Sequence, residues 1–330
     1  MKKAVPPIQS LVSHLRLKRI EKDLFVGQSY DPGWGRVYGG QVLGQALSAA
    51  QTTVDDVHET NRHAHSLHSY FLLPGNVHLP IAYDVERIRD GRSFSARRVK
   101  AIQNGQPIFF LTASFQNKEN NTLEHQYTSI EHSIEHNLNE YNNIPPPNEC
   151  LPIWDVFDEF LQNNVPKGIK NKFKNTFGPT SPIQIRPVSM QNPIHPVTKK
   201  PQQDLWIRSN GTLKKNEENM TDFESESLHR ALLSFASDYG LLETALNPHA
   251  VSLWDPKQRV NVATIDHSIW FHAPFQFDEW FLHRTYSPIA SSSRGLCFGE
   301  IMQNGKLVAS TAQQGLMRKN KSFEDSSEKN

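Results

Sequence analysis

Hydrophobic residues along this chain follow two different spacings. Apolar side chains recur every three or four positions within residues 39–53 and again within residues 228–246, which is the spacing of a helix that buries one face. Behind each stretch, apolar runs of strand length follow one another and are separated by turn-forming residues. The pattern predicts two units, each made of one long helix followed by several strands.

The strand regions of the two units repeat one another. Residues 69–74 and 103–105 of the first unit correspond to residues 269–274 and 303–305 of the second, and both pairs lie 200 positions apart (274 − 74 and 304 − 104). Each unit contains an Asn-Gly pair, which favours a type I′ hairpin because both residues tolerate positive φ. We predict an α+β protein in which two long helices are each wrapped by a curved antiparallel sheet, and the two sheets join.

The composition changes between the two units. Residues 117–182 are rich in Asn, Glu and His near their start and contain three consecutive prolines, which predicts a largely irregular linker with a short helix near residues 154–161. The first unit then spans residues 1–116 and the second spans residues 183–318. Residues 319–330 are charged and rich in Ser, as in a disordered tail.

Bulk composition argues against several classes of protein. The 330 residues carry a formal net charge of +1, so no broad electrostatic field attracts nucleic acid or an anionic membrane. No apolar run is long enough for a membrane span or a secretory signal, so we expect no stable membrane insertion. Cys150 and Cys297 are the only cysteines, which argues against a disulfide scaffold and favours a reducing, intracellular compartment.

Common catalytic motifs are absent or incomplete. Residues 91–95 lack the second glycine of a nucleophile elbow. Gly33 and Gly35 match the first two glycines of the dinucleotide-binding pattern, but Tyr38 stands where the third glycine is required. Residues 132–136 match the H-x-x-E-H zinc pattern, but no apolar stripe in this polar linker would hold the helix that such a site needs. We interpret them as a loop and predict no metal and no cofactor.

Asp238 is the most informative titratable residue. It lies in the apolar, alanine-rich residues 231–238 of the second predicted helix, where a buried carboxylate without partners costs several kcal/mol. The alternative is an Asp on the solvent side of the helix, and the residues alone leave both interpretations open. Thr264 and Gln313, at the edges of repeated strands, are ordinary strand residues when each is taken singly. Three nearby polar residues are interpreted as structural: Asp266, His267 and His272.

A series of blocks occurs in the order known from one enzyme family. The first half contributes residues 39–46, 68–75 and 90–99, and the second half contributes residues 229–231, 237–238, 266–272 and 309–315. On these blocks the chain resembles the type II (TesB-like) acyl-CoA thioesterases, from Leu24 to Arg318 apart from the linker. The resemblance implies a double hotdog fold, hydrolysis of fatty acyl-CoA to fatty acid and coenzyme A, and a homodimer or higher homo-oligomer. It also implies a cytoplasmic or peroxisomal location, although no C-terminal Ser-Lys-Leu signal is present.

The resemblance also implies which residues act. The catalytic Asp, Thr and Gln of the family fall on Asp238, Thr264 and Gln313. We expect Asp238 to draw a proton from the attacking water, while the other two direct that water and no covalent intermediate forms. Because residues 44–49 of the first helix contain no carboxylate, we expect one active site per chain.

Substrate contacts are predicted at two further places. The start of the first helix permits close backbone approach, and a basic segment offers cations for the phosphates of coenzyme A, although the solvent face of a strand explains that segment equally well. The residues are Gly39, Gly40, Gln41, Arg92, Arg97 and Arg98.

Two alternative functions stay open. A non-catalytic acyl-CoA binding protein would share the fold and the ligand, but the presence of Asp238, Thr264 and Gln313 argues against it. A hotdog enoyl-CoA hydratase would be expected to carry a catalytic Asp and His close together on one loop, and we find no such block.

Overall fold

The computed structural model describes residues 6–31, 33–57, 62–120, 122–128, 144–161, 167–189, 192–213, 220–254 and 260–320. The H-x-x-E-H motif at residues 132–136 and most of the predicted tail lie outside these ranges. The predictions for these two segments are therefore untested.

Within the described ranges, twelve strands form one antiparallel sheet. The strands of the first half are β1 (Lys18–Glu21), β2 (Leu24–Gly27), β3 (Arg62–Phe71), β4 (Ile81–Asp90), β5 (Phe94–Gln103) and β6 (Gln106–Asn117). Those of the second half are β7 (Ile183–Pro187), β8 (Gln202–Ser209), β9 (Val260–Phe271), β10 (Phe281–Ser291), β11 (Arg294–Gln303) and β12 (Lys306–Lys319). Their order, β1-β2-β4-β5-β6-β3-β9-β12-β11-β10-β8-β7, makes each half a counterpart of the other about the central β3–β9 pair.

The internal repeat has a direct structural counterpart. Strands β4, β5 and β6 begin 200 residues before β10, β11 and β12, respectively. The Asn-Gly pairs form the predicted hairpin turns, with φ of 49° and 72° at Asn104 and Gly105 and of 51° and 75° at Asn304 and Gly305. Positive φ at both central residues is the geometry that the sequence predicted.

Two long helices cover one face of this sheet. The helices are α1 (Pro7–Leu15), α2 (Gly39–Asp55), α3 (Ile153–Leu161), α4 (Lys167–Phe177) and α5 (Asp222–Ala236), followed by a 3₁₀ helix (Leu242–His249). The apolar stripe of α2 is buried, and α2 packs antiparallel against α5 with Gly44 beside the carbonyl of Ala231. A Cβ on Gly44 would lie 2.9 Å from that oxygen, so glycine allows the close approach. This arrangement confirms the double hotdog fold.

The second long helix is shorter than predicted. We expected helix through residue 246, but α5 ends at Ala236 and the chain turns before the 3₁₀ helix begins. Gly240 in this turn has a φ of 73°, a left-handed conformation that ends helices. Because the 3₁₀ helix continues the apolar periodicity, the break is hidden in the sequence, and Asp238 lies in the turn after α5 instead of within a helix.

The described part of the predicted linker contains one more helix than expected. The structure has α3 near the predicted position, but α4 was not anticipated. Phe173 of α4 is buried against Phe157 and Trp254. Among the residues that the structure describes, no helix combines the length and apolar character needed to span a bilayer.

Candidate active site

Three polar side chains from different elements meet where the two halves join. Asp238 follows α5, Thr264 lies in β9 and Gln313 lies in β12. The Gln313 amide nitrogen donates to Asp238 Oδ1 at 3.0 Å and to Thr264 Oγ1 at 2.7 Å. Thr264 Oγ1 lies 3.4 Å from the same carboxylate oxygen. The structure therefore brings together the three residues that the resemblance singled out.

The first half of the chain completes this cluster through the start of α2. The N-cap residue, Tyr38, makes no side-chain capping hydrogen bond, and the Gly40 N–H donates to Asp238 Oδ2 at 3.1 Å. A carboxylate is stabilised there because a helix begins with unpaired N–H groups and a partial positive charge. Asp238 thus caps a helix of the other half, and the site depends on both halves.

The surroundings of Asp238 shift the pKa of its carboxyl in opposite directions. Burial has the largest effect and raises its pKa, because the charged form loses hydration. The hydrogen bonds from Gln313, Gly40 and Thr264 favour the charged form and lower the pKa, as does the nearby charge of Arg36. The net result is a raised pKa, which makes the carboxylate a stronger base. Its two oxygens offer about four acceptor sites, and three contacts leave room for a water.

A cavity of about 430 Å³ opens beside the three side chains. Gly39, Asp238, Thr264 and Gln313 form part of its wall. Much of the remaining lining is apolar and comes from both halves and the linker: Val42, Phe71, Leu73, Ile108, Phe177 and Trp254. Its size and apolar character are typical of small-molecule sites and suit a flexible hydrocarbon chain.

Several lining residues were not predicted from the sequence. Phe177 lies at the end of α4, and its ring centroid is 5.7 Å from that of Trp254. Arg36 lies on the exposed side of the cavity, where its guanidinium donates to the carbonyl of Val262 at 3.3 Å. Neither the basic sequence of α4 nor an isolated arginine in a loop indicates a place beside a cavity, because only tertiary packing brings these residues there.

Two predicted substrate contacts must be corrected. Gln41 has no exposed surface, and its side-chain nitrogen donates to the Gln28 carbonyl and the Gln45 side chain, so it faces the core. Arg97 also has no exposed surface and bonds Asp90 and Thr53 near the far end of α2. Neither side chain is placed to bind substrate.

The remaining arginines of the predicted phosphate site lie away from the cavity. Arg98 forms an ion pair with Glu86 on the exposed face of the sheet. Arg92 lies in the turn between β4 and β5, where its carbonyl accepts from Arg62. Neither arginine lines the described cavity. Of the six predicted contacts, only Gly39 and Gly40 lie at the site.

The equivalent place in the first half has different residues. The offset of 200 puts Ala64 and Ala113 where the second half has Thr264 and Gln313. Arg230 occupies the space beside Ala64, donating to its carbonyl, and is largely buried. An alanine side chain can neither donate nor accept a hydrogen bond. Among the described residues, the polar cluster of Asp238, Thr264 and Gln313 therefore has no counterpart in the first half.

Two family models and several known proteins match this chain. A family model described as "Acyl-CoA thioesterase" matches residues 174–316, and one described as "Acyl-CoA thioesterase N-terminal domain" matches residues 30–116. The chain is similar to acyl-coenzyme A thioesterase 8 of Homo sapiens, with 37% identity over 92% of this chain and 87% of that one. It is also similar to acyl-CoA thioesterase 2 of Haemophilus influenzae, with 37% identity over 94% of this chain and 98% of that one. Among solved structures, acyl-CoA thioesterase II TesB2 from Mycobacterium marinum matches with a TM-score of 0.69 and 29% identity, covering 95% of this chain and 99% of that one.

Proposed function

Because this chain belongs to the TesB-like acyl-CoA thioesterase family and is a thioester hydrolase, we propose that Asp238, Thr264 and Gln313 activate the water that attacks a fatty acyl thioester. The observation that carries this proposal is the convergence of three donors on one half-buried carboxylate in the wall of an apolar cavity. The carboxylate is oriented, and it retains an acceptor site for water.

The proposed reaction needs no covalent nucleophile. Asp238 accepts a proton as the water oxygen bonds to the thioester carbon, and the carbon–sulfur bond then breaks to release fatty acid and coenzyme A, with the proton passing to sulfur or solvent. The Gly40 N–H already bonds Asp238, so it does not serve the oxyanion. We assign that role to the N–H of Gly39, which lines the cavity at the positive end of α2.

The substrate follows from the lining of the cavity. Its apolar wall suits a fatty acyl chain, and Arg36 at its exposed side offers a cation to the phosphates of coenzyme A. This role replaces the one predicted for Arg92, Arg97 and Arg98. The test is release of coenzyme A from palmitoyl-CoA, followed with a thiol reagent. Binding without release would favour the acyl-CoA binding protein, and hydration of an enoyl-CoA would favour the hydratase.

The linker helix α4 should influence the preferred acyl length. Replacing Phe177 with Ala removes a ring from the wall of the cavity and should move the optimum of kcat/KM toward longer chains. We expect the ratio for long over medium chains to rise roughly tenfold, since a methylene in such a pocket changes rates by that order. A series of acyl-CoA lengths measures it. Phe157→Leu is the control, because Phe157 belongs to the same aromatic cluster but does not line this cavity. An equal shift in both variants would contradict the prediction.

Glu243 should make binding of the acyl chain depend on pH. Its carboxyl lies on the wall of the cavity, and burial raises its pKa to about 7. Below that pH the group is neutral, and above it a charge enters an apolar cavity, so KM should rise between pH 7 and pH 8. Glu243→Gln should remove this rise, whereas Glu279→Gln, which changes an exposed carboxyl, should leave it. If KM still rises between pH 7 and pH 8 in Glu243→Gln, another titratable group causes the rise.

Assembly and location stay predictions. We propose a homo-oligomer, because the outer face of the sheet exposes aromatic side chains, among them Tyr70 and Trp270. An intracellular location, cytoplasmic or peroxisomal, is supported by the free thiols of Cys150 and Cys297.

A further inference from the structure

Two buried polar atoms beside the active site lack hydrogen-bond partners among the described residues. They are Nδ1 of His267 and Oε1 of Gln313. The two residues lie directly opposite one another in β9 and β12, so their side chains project from the same face of the sheet. Both are almost fully buried, with 0% and 1% exposure. A buried acceptor without a donor is costly, so this pair of atoms requires an explanation.

The orientation of the Gln313 amide matters for the chemistry. Its nitrogen carries two hydrogens, which reach Asp238 Oδ1 and Thr264 Oγ1. In the flipped orientation the amide oxygen would face the carboxylate, and two acceptors would repel one another. The two ends of an amide have nearly the same shape, so packing alone does not select one orientation. A donor to Oε1 would select it.

His267 is the neighbour that can supply this donor. Burial, with a smaller effect from the nearby His283, lowers its pKa to about 3, and an interaction with Gln313 partly opposes this. The ring is therefore neutral and carries one hydrogen. Its Nε2 lies 2.9 Å from the Ser237 hydroxyl oxygen, which also lies 3.0 Å from the Ser234 carbonyl oxygen. When the single hydroxyl hydrogen points to Nε2, the ring hydrogen lies on Nδ1. In the other tautomer Nδ1 and Gln313 Oε1 would both be buried acceptors without a donor.

We propose that His267 is a positioning residue whose Nδ1–H donates to Gln313 Oε1 and holds both amide hydrogens toward Asp238 and Thr264. The network runs from Ser237 through His267 and Gln313 to Asp238, so it begins and ends at adjacent residues of the turn after α5. This inference rests on the proposed function. It also revises our interpretation of His267 as structural.

Two substitutions separate the ring nitrogens. His267→Asn places an amide near the position of Nδ1, whereas His267→Gln places it near Nε2. We expect His267→Asn to retain kcat within a few-fold, and His267→Gln to lower kcat on the order of tenfold with little change in KM. In His267→Gln the freed Gln313 can turn its oxygen toward Asp238. Because Asp238 must be ionised to act as the base, kcat/KM should fall at low pH, which gives the pH profile an acidic limb. In His267→Gln this acidic limb should move to higher pH. The other titratable or charged groups around Asp238, namely Arg36, Tyr38 and Tyr239, are unchanged in this variant.

A double-mutant cycle tests the route of the effect. In a Gln313→Ala background, His267→Gln should cause little further loss, because the amide that His267 orients is gone. Additive losses, equal losses in the Asn and Gln variants, or an unmoved acidic limb would each overturn the proposal. An inactive wild type would refute the proposed function itself, whereas an active wild type with an unaffected His267→Gln would refute only the positioning role.

A measurement on the unmodified protein does not depend on the activity of the variants. The nitrogen chemical shifts of ¹⁵N-labelled histidine distinguish the two neutral tautomers, and the signals of His267 are those lost in His267→Asn or, if that variant does not fold, in His267→Phe. We expect a protonated Nδ1 and an unprotonated Nε2 across the assay range. A protonated Nε2 would overturn the proposal.

Discussion

Replacing Asp238 with Asn should lower kcat by on the order of 10²-fold or more while acyl-CoA still binds. Asn keeps the size of the side chain and one oxygen that can accept the Gly40 N–H, but it cannot take a proton from water at neutral pH. The loss should therefore appear in kcat, because binding of the acyl chain depends on the apolar wall of the cavity. Release of coenzyme A from palmitoyl-CoA measures turnover, and calorimetric titration measures binding.

A second carboxylate of the same region provides the control for Asp238→Asn. Asp266 lies in β9, accepts from the backbone N–H of Gln314 at 3.0 Å and does not line the cavity. Asp266→Asn should keep turnover within a few-fold of wild type. Near-full turnover of a folded Asp238→Asn would remove Asp238 as the base. An equal loss in both variants would point to a general electrostatic effect on the site.

The parts of the fold that the sequence predicted are those with local signals. The stripe of α2 and the Asn-Gly turns at Asn104 and Asn304 depend on neighbouring residues, and the offset of 200 extends a local pattern to both halves. Thr264 and Gln313 have no such signal, because each alone is a common strand residue. Only the resemblance singled them out, and the structure shows why they lie close together, since β9 and β12 are paired.

The predictions that failed concern partners distant in the sequence. Arg97 lies in a basic segment that we predicted to bind the phosphates of coenzyme A, but Thr53 and Asp90 accept from its guanidinium within the core. The end of α5 was missed because the 3₁₀ helix extends the same spacing. The contribution of Phe177 to the cavity was missed because α4 is mostly basic and polar and gains its place only by packing against Trp254.

Replacing Gly40 with Ala should damage both stability and catalysis. The added Cβ would overlap the carbonyl oxygen of Phe235 and lie 2.6 Å from a ring carbon of Tyr38, so the start of α2 must move away from α5. We expect the free energy of unfolding to fall by roughly 1–3 kcal/mol, as in other overpacked sites. Because the displaced Gly40 N–H also donates to Asp238, kcat should fall on the order of tenfold or more. Denaturant unfolding and coenzyme A release measure the two effects.

Gly168→Ala is the matched control for this prediction. Gly168 also lies near the start of a helix, α4, but among the described residues no atom outside its chain neighbours and the adjacent helix backbone lies within 4 Å of the position its Cβ would take. The same chemical change should there leave activity unchanged and stabilise the fold by at most about 1 kcal/mol, through a smaller loss of backbone entropy. A Gly40→Ala variant that loses stability but keeps wild-type kcat would show that the packing of α2 on α5 matters, whereas its N–H does not orient the base. Loss of kcat beyond what the unfolded fraction explains would link the start of the first helix to the carboxylate of the second half.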